Sequence, residues 1–134
     1  MTNQELAECA LSARALSYCP YSGYAVGAAL LTASGKVYLG ANIENASFTP
    51  TVCAERTAIF RALLEGERDF VKIAVAGGKQ GEPPKGSFPP CGVCRQVMAE
   101  FCPSDFEVIV VGDGTVTSVS LQDLLPFGFS KENL

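Results

Sequence analysis

Apolar residues recur at spacings of three and four through Leu6, Cys9, Ala10, Ala13 and Leu16, the period of one face of a helix. Thr2 and Glu5 precede that run at capping-box spacing and Pro20 lies beyond it, so a first helix is predicted near the start of the chain. The period then changes. Tyr24 to Leu31 is small and apolar, Ser34-Gly35 supplies a turn, and Lys36 to Asn42 alternates with Val37, Leu39 and Ala41 on one side, which predicts a β-hairpin. Residues 54–65 return to helix formers, with Ala58, Ile59, Ala62 and Leu63 on one face and Gly66 ending the run. A short buried strand is predicted over Val71 to Ala76. A third helix follows over Gly92 to Cys102, with Val93, Val97, Met98 and Phe101 inward and Pro103 as its stop, and then a strand over Glu107 to Val111. Gly112-Asp113-Gly114 turns the chain into a last strand at Thr115 to Val119, and Leu121 to Leu125 reads as a short apolar helix.

The resulting order, α-β-β-α-β-α-β-β-α, predicts an α/β fold of three layers. The first hairpin is antiparallel, whereas strand–helix–strand units favour parallel pairing. The expected sheet is therefore five-stranded, mixed and mostly parallel, with helices on both faces. Residues 77–90, rich in Gly, Pro and Lys, are the one long irregular stretch and read as a surface loop delivering the chain to Cys91. No internal repeat appears, and 134 residues suit a single domain spanning 1–134.

Apolar residues make up 48% of the chain and charged residues 18%, a balance that can order a backbone around a core and excludes a disordered chain. The net charge of -4 comes without any Lys/Arg cluster. Neutralising phosphates with basic side chains supplies most non-specific nucleic-acid affinity, so a polymeric nucleic acid is disfavoured and a small uncharged substrate fits better. No run approaches the roughly 18 apolar residues needed to cross a bilayer, and Met1-Thr2-Asn3-Gln4-Glu5 lacks the character of a signal peptide. A cytoplasmic location with no membrane partner is expected. In that reducing compartment the six cysteines point to metal binding or burial before a disulfide framework.

The chain has no histidine, so metal chemistry must run on cysteine and proton transfer on a carboxylate. Cys53-Ala54-Glu55 and Pro90-Cys91-Gly92-Val93-Cys94 offer both. Cys53 precedes the second predicted helix, and Cys91 and Cys94 begin the third. Helix N-termini carry unpaired amides and a positive dipole end that favour thiolate. Three protein ligands with one open position are the pattern of catalytic zinc, and four closed ligands that of structural zinc. Cys9 on an apolar helix face, Cys19 before Pro20 and Cys102 at a helix end read as small buried residues. Any of them closing the site would make it structural. Taken alone, Cys91-Gly92-Val93-Cys94 also fits a redox pair, but that reading leaves Cys53 and Glu55 unexplained.

Together with Tyr21-Ser22, Val26-Gly27-Ala28-Ala29-Leu30 and Asn42-Ile43-Glu44-Asn45, these motifs resemble the zinc-dependent cytidine deaminase family in its compact homotetrameric class, over nearly the whole chain. They follow the His-x-Glu plus Pro-Cys-x-x-Cys signature of zinc nucleobase deaminases, with cysteine here in the histidine position. The resemblance implies the cytidine-deaminase-like fold and hydrolytic deamination of free cytidine and deoxycytidine to uridine and deoxyuridine, with release of ammonia, in pyrimidine salvage. It implies Zn2+ on Cys53, Cys91 and Cys94, attack by a zinc-bound hydroxide, and Glu55 as proton shuttle. Arg56 would hydrogen-bond the cysteine sulfurs and offset their negative charge. Tyr24, Asn42, Glu44 and Ala54 would contact the nucleoside, with Asn42 and Glu44 on the ribose. Phe129 would reach a neighbouring subunit's site, so that a homotetramer shares its active sites between subunits.

Three positions depart from the family pattern. Phe48 stands where relatives often have tyrosine, Tyr24 where they usually have phenylalanine, and the loop from Gly77 to Pro90 is longer than usual. Three other functions compete: a deaminase of blasticidin-type aminopyrimidine nucleosides, a non-catalytic structural zinc module, and a deaminase of RNA or DNA. The Asn42-to-Asn45 segment favours a plain ribose, and the acidic composition argues against a polynucleotide.

Overall fold

The computed structural model describes all residues, Met1 to Leu134. Helix α1, Asn3–Ala13, starts at the predicted capping box. The Glu5 amide donates to Thr2 Oγ1 at 3.1 Å, and the Thr2 amide donates to Glu5 Oε1 at 2.9 Å. Its inward face is Leu6, Ala7, Ala10 and Ala13. The helix tightens into a 3-10 turn at Arg14–Leu16, which rotates Leu16 out to 62% exposure, and Cys9 is only half-buried. The simple helical period therefore misplaces both.

Strands β1, Tyr24–Thr32, and β2, Val37–Ala41, form the predicted hairpin. Helix α2, Ala54–Leu64, leads to β3, Phe70–Lys79. Helix α3, Gly92–Phe101, leads to β4, Glu107–Val111, which turns back into β5, Val116–Ser120, before the short helix α4, Leu121–Leu124. A 3-10 turn at Lys131–Asn133 closes the chain. The sheet order is β2-β1-β3-β4-β5.

Only β3 and β4 pair in parallel; β1 with β2, β1 with β3 and β4 with β5 are antiparallel. The sheet is mixed as expected, but it is mostly antiparallel. The reason is topological. β2 and β3, joined by α2, do run in the same direction, but β1 lies between them and takes the ladder hydrogen bonds of both.

Alternation along the inner strands builds two cores. Val26, Ala28, Leu30, Ile73, Val75 and Val108 face α2 and α3, while Ala29, Ala74, Ala76, Ile109 and Val111 face α1. The sheet is thus covered on both sides, which gives its inner strands continuous apolar runs. β3 extends past the predicted Ala76 through Gly77, Gly78 and Lys79, whose partners on β1 are Val26, Ala25 and Tyr24. Glycines hide a strand from propensity, and here the ladder with β1 decides.

On α3 the buried residues are Cys94 and Met98, whereas the expected inward Val93 is 57% exposed and Phe101 37% exposed. Periodicity defined the apolar stripe but not which of its edges meets the sheet. At the end of the sheet away from α2's first turn, Glu67 accepts hydrogen bonds from Ser34 Oγ at 2.6 Å, Thr32 Oγ1 at 3.1 Å and Tyr38 Oη at 3.2 Å. These bonds tie the β1–β2 turn to the chain leaving α2. No helix is long and apolar enough to cross a membrane.

Candidate metal centre and catalytic cleft

Cys53 and Cys91 are the residues that cap the N-termini of α2 and α3, and neither side chain caps its own helix. Both thiols are thereby free to point at a common centre. Cys94, in the first turn of α3, is buried, and the three sulfurs lie within 4.8 Å of one another. Cys53 Sγ and Cys91 Sγ are 3.7 Å apart. Tetrahedral ligation at a metal–sulfur distance of about 2.3 Å puts two sulfurs about 3.8 Å apart, so the donor set fits zinc in both chemistry and spacing. All six cysteines are free thiols, and Cys9, Cys19 and Cys102 stand outside the cluster. Burial pushes the Cys102 thiol up to about 12.

Arg56 lies on the first turn of α2, with Nη2 3.5 Å from Cys53 Sγ. Its Nε is buried without a hydrogen-bond partner. A cation held this way favours thiolate at its neighbour, and the Cys53 thiol is pushed down by its hydrogen bond with Cys94, reinforced by Arg56 and Cys91. Glu55 is 3% exposed, and burial raises its carboxyl to about 7, with the charge of Cys53 adding to the rise. A carboxyl group so placed takes and returns protons near neutral pH.

Glu55, Cys53 and Cys91 open onto one cleft of about 320 Å³, which Tyr24, Asn42 and Glu44 also line. The segment after β2 is pinned on both sides: Ile43 bridges to Val52 and to Tyr18, and the Glu44 amide donates to the Tyr18 carbonyl at 2.9 Å. Ile43 is exposed, so Asn42 and Glu44, its neighbours in an extended stretch, share the opposite side. Asn42 is buried. Its Oδ1 accepts from the Val26 amide at 2.9 Å and from Ser17 Oγ at 2.5 Å, and its Nδ2 donates to the Tyr24 carbonyl at 2.9 Å. Glu44 accepts from the amides of Tyr21 and Ser22, at 3.0 and 3.1 Å, and from the Ser22 hydroxyl. Burial works against its charge, yet these hydrogen bonds prevail and hold it below the usual carboxylate range.

Ala54, fully buried, is the first residue of α2, where amides lack helical partners. Thr57 fixes this end of the helix to the sheet: its hydroxyl donates to the Ala41 carbonyl at 2.9 Å and accepts from the Ala41 amide at 3.0 Å. Phe129 lies apart from the cleft of its own chain and is 60% exposed, with its carbonyl accepting from Gln96 Nε2 at 2.8 Å. Phe48 is exposed in a shallow depression on the other side of Glu44. In the sequence Ser22 stands only as part of a motif, without a role, and sequence reasoning missed Thr57 and Phe88. The last is a cleft residue, and the one aromatic in the irregular stretch before Cys91 was the available signal.

Residues 1–111 match the family model described as the cytidine and deoxycytidylate deaminase zinc-binding region. The chain is similar to the cytidine deaminase of Halalkalibacterium halodurans, at 48% identity over 100% of this chain and 98% of that protein. It is also similar to the cytidine deaminase of Sporosarcina psychrophila, at 45% identity over 91% of this chain and 87% of that protein. Among solved structures, the cytidine deaminase of Burkholderia pseudomallei superposes with a TM-score of 0.88 at 47% identity, covering 96% of this chain and 100% of that one. The cytidine deaminase of Mycobacterium tuberculosis gives a TM-score of 0.80 at 34% identity, covering 96% of this chain and 98% of that one.

Proposed function

The chain belongs to the cytidine deaminase family, enzymes that hydrolyse cytidine with the help of zinc, and from that premise we propose that Cys53, Cys91 and Cys94 hold the metal while Glu55 moves the protons. A zinc ion held there would supply Lewis acidity and would bring the acidity of a water toward neutral pH. Glu55 takes a proton from the attacking water and delivers it to the pyrimidine nitrogen N3 as the water oxygen forms its bond to C4. The carboxylate then takes the proton of the new C4 hydroxyl and passes it to the departing amine. The C4–N bond breaks, ammonia leaves and uridine remains.

Three thiolates on a divalent ion leave a net negative charge, which opposes ionisation of water beside it. Arg56 and the N-terminal ends of α2 and α3 offset that charge from outside the cluster. Asn42 and Glu44 hold the ribose hydroxyls, and the anionic Glu44 is suited to accept from both 2'- and 3'-oxygens or from the 3'-oxygen alone. Deoxycytidine is accordingly a second substrate. The amide of Ala54 faces the base, and Tyr24 borders it. Phe129, exposed on its own subunit, serves the cleft of a neighbour in a homotetramer. The chain acts as a single catalytic domain on free nucleosides in the cytoplasm, in pyrimidine salvage.

The observation that carries this reading is the burial of Glu55 on the same cleft as the converging sulfurs. Its test is Glu55→Gln, followed by loss of ultraviolet absorbance from cytidine and by metal content. Turnover falls by about 10²-fold to 10⁴-fold while one zinc per chain is kept. A variant with wild-type turnover would refute the assignment.

A further inference from the structure

We propose that Phe88 is a specificity-determining residue of this enzyme: its ring forms the wall that bounds the C5 edge of the bound cytosine and limits the size of a substituent there. The inference rests on the reading that C4 lies at the cysteine cluster and N3 at Glu55. With those two atoms placed, the free edge of the base next to C4 is C5–C6. The cleft lining includes Phe88 and Pro89, in the tripeptide Phe88-Pro89-Pro90 that leads into Cys91, and a wall carried by that tripeptide is the one suited to this edge.

Phe88 is held on two sides of its ring, and the loop that carries it is fastened to the sheet. Its ring packs with Tyr24 at a centroid separation of 6.4 Å and an interplanar angle of 26°. It lies over Gly77 so closely that a Cβ there would come within 2.4 Å of Cδ1 and 2.6 Å of Cε1 of the ring. The glycine is the seat that lets the ring lie back against β3. The loop itself is fastened by Arg14, whose Nε donates to the Ala25 carbonyl at 2.9 Å while Nη1 and Nη2 donate to the carbonyls of Glu82 and Lys79 at 3.0 and 3.1 Å. An irregular segment would otherwise give the side chain no fixed place. Here one guanidinium joins β1, the end of β3 and the start of the loop, and the contacts with Tyr24 and Gly77 place the ring.

The test compares kcat/KM for 5-methylcytidine with that for cytidine in the wild type and in three variants, with zinc content measured in each. Phe88→Ala raises the ratio by at least about 10-fold, the discrimination a single methyl group commands in an apolar pocket. Phe88→Trp lowers it, and so does Gly77→Ala, which drives the native ring toward the cleft. Should Phe88→Ala fail to fold, Phe88→Leu is read in the same way. A ratio within about twofold of wild type in the Phe88 variants overturns the inference. A wild-type protein that does not turn over cytidine would instead refute the underlying reading of the site, so the two failures are distinguishable.

Discussion

Gly40 on β2 lies against Ala54 on α2 with no room for a methyl group between them: a Cβ at position 40 would sit 2.2 Å from the Ala54 carbonyl oxygen and 2.5 Å from the Ala58 amide nitrogen. Both obstacles are backbone, which cannot swing aside. Gly40→Ala must therefore lift the first turn of α2 from the sheet, and with it Cys53 and Glu55. Overpacking of this kind costs about 1–3 kcal/mol. Urea denaturation reads the loss, and zinc retained after dialysis falls with it. A variant as stable and as well loaded as wild type would show that α2 is not seated in this way.

Removing the metal exposes a graded set of thiols. With zinc bound, the three cluster sulfurs resist alkylation. After chelation Cys53, whose thiol is held low, and the exposed Cys91 react first with iodoacetamide at neutral pH, ahead of the buried Cys94. Cys102 stays unlabelled in the folded protein, since burial pushes its thiol up to about 12 and leaves almost no thiolate. Peptide mass spectrometry before and after chelation follows the order. Early labelling of Cys102 while the protein is still folded would contradict it.

Glu67 supplies a pH dependence far from the chemistry. Hydrogen bonds from Ser34, Thr32 and Tyr38 hold its carboxyl below the usual range, against the opposing effect of burial. A depressed folded-state value means that the stabilisation is present above the unfolded value of about 4.3 and is lost as pH falls through the folded value. The urea midpoint of wild type therefore exceeds that of Glu67→Gln at pH 7, and the gap closes as pH drops below about 4. A gap independent of pH would mean that the network does not depend on charge.

Much of the proposed catalytic machinery is legible in the sequence because it is local. Cys53-Ala54-Glu55 and Cys91-Gly92-Val93-Cys94 each lie within one helical turn, and folding only has to bring two helix ends together. Asn42 and Glu44 are recognisable through the family pattern, but the hydrogen bonds that fix them, from Ser17, Val26, Tyr21 and Ser22, come from other elements. What the sequence hides depends on three-dimensional neighbours. The pairing of β3 with β1 turns a predicted mostly parallel sheet into a mostly antiparallel one. The outward turn of Val93 and Phe101 depends on which edge of α3 meets the sheet, and the place of Phe88 depends on an opening over Gly77.

The proposed sharing of sites between subunits has a direct test in mixing. Glu55→Gln lacks the proton carrier in its own cleft, and Phe129→Ala lacks the aromatic it would lend to a neighbour. Each variant alone is impaired. Unfolded together and refolded, they form mixed tetramers in which an intact Glu55 meets an intact Phe129 from the other chain, and cytidine turnover exceeds that of the two variants refolded separately. No gain on mixing, or an active monomer by light scattering, would place Phe129 outside the catalytic unit.

Asn42 commits its side-chain oxygen to a strand amide and its nitrogen to the carbonyl of Tyr24. With the proposed ribose contact added, sugar selectivity and fold integrity would be written into one side chain, and a substitution there would alter both at once. Drift toward a different sugar must pass through Glu44 and the turn that cradles it, where a change of preference leaves the architecture standing.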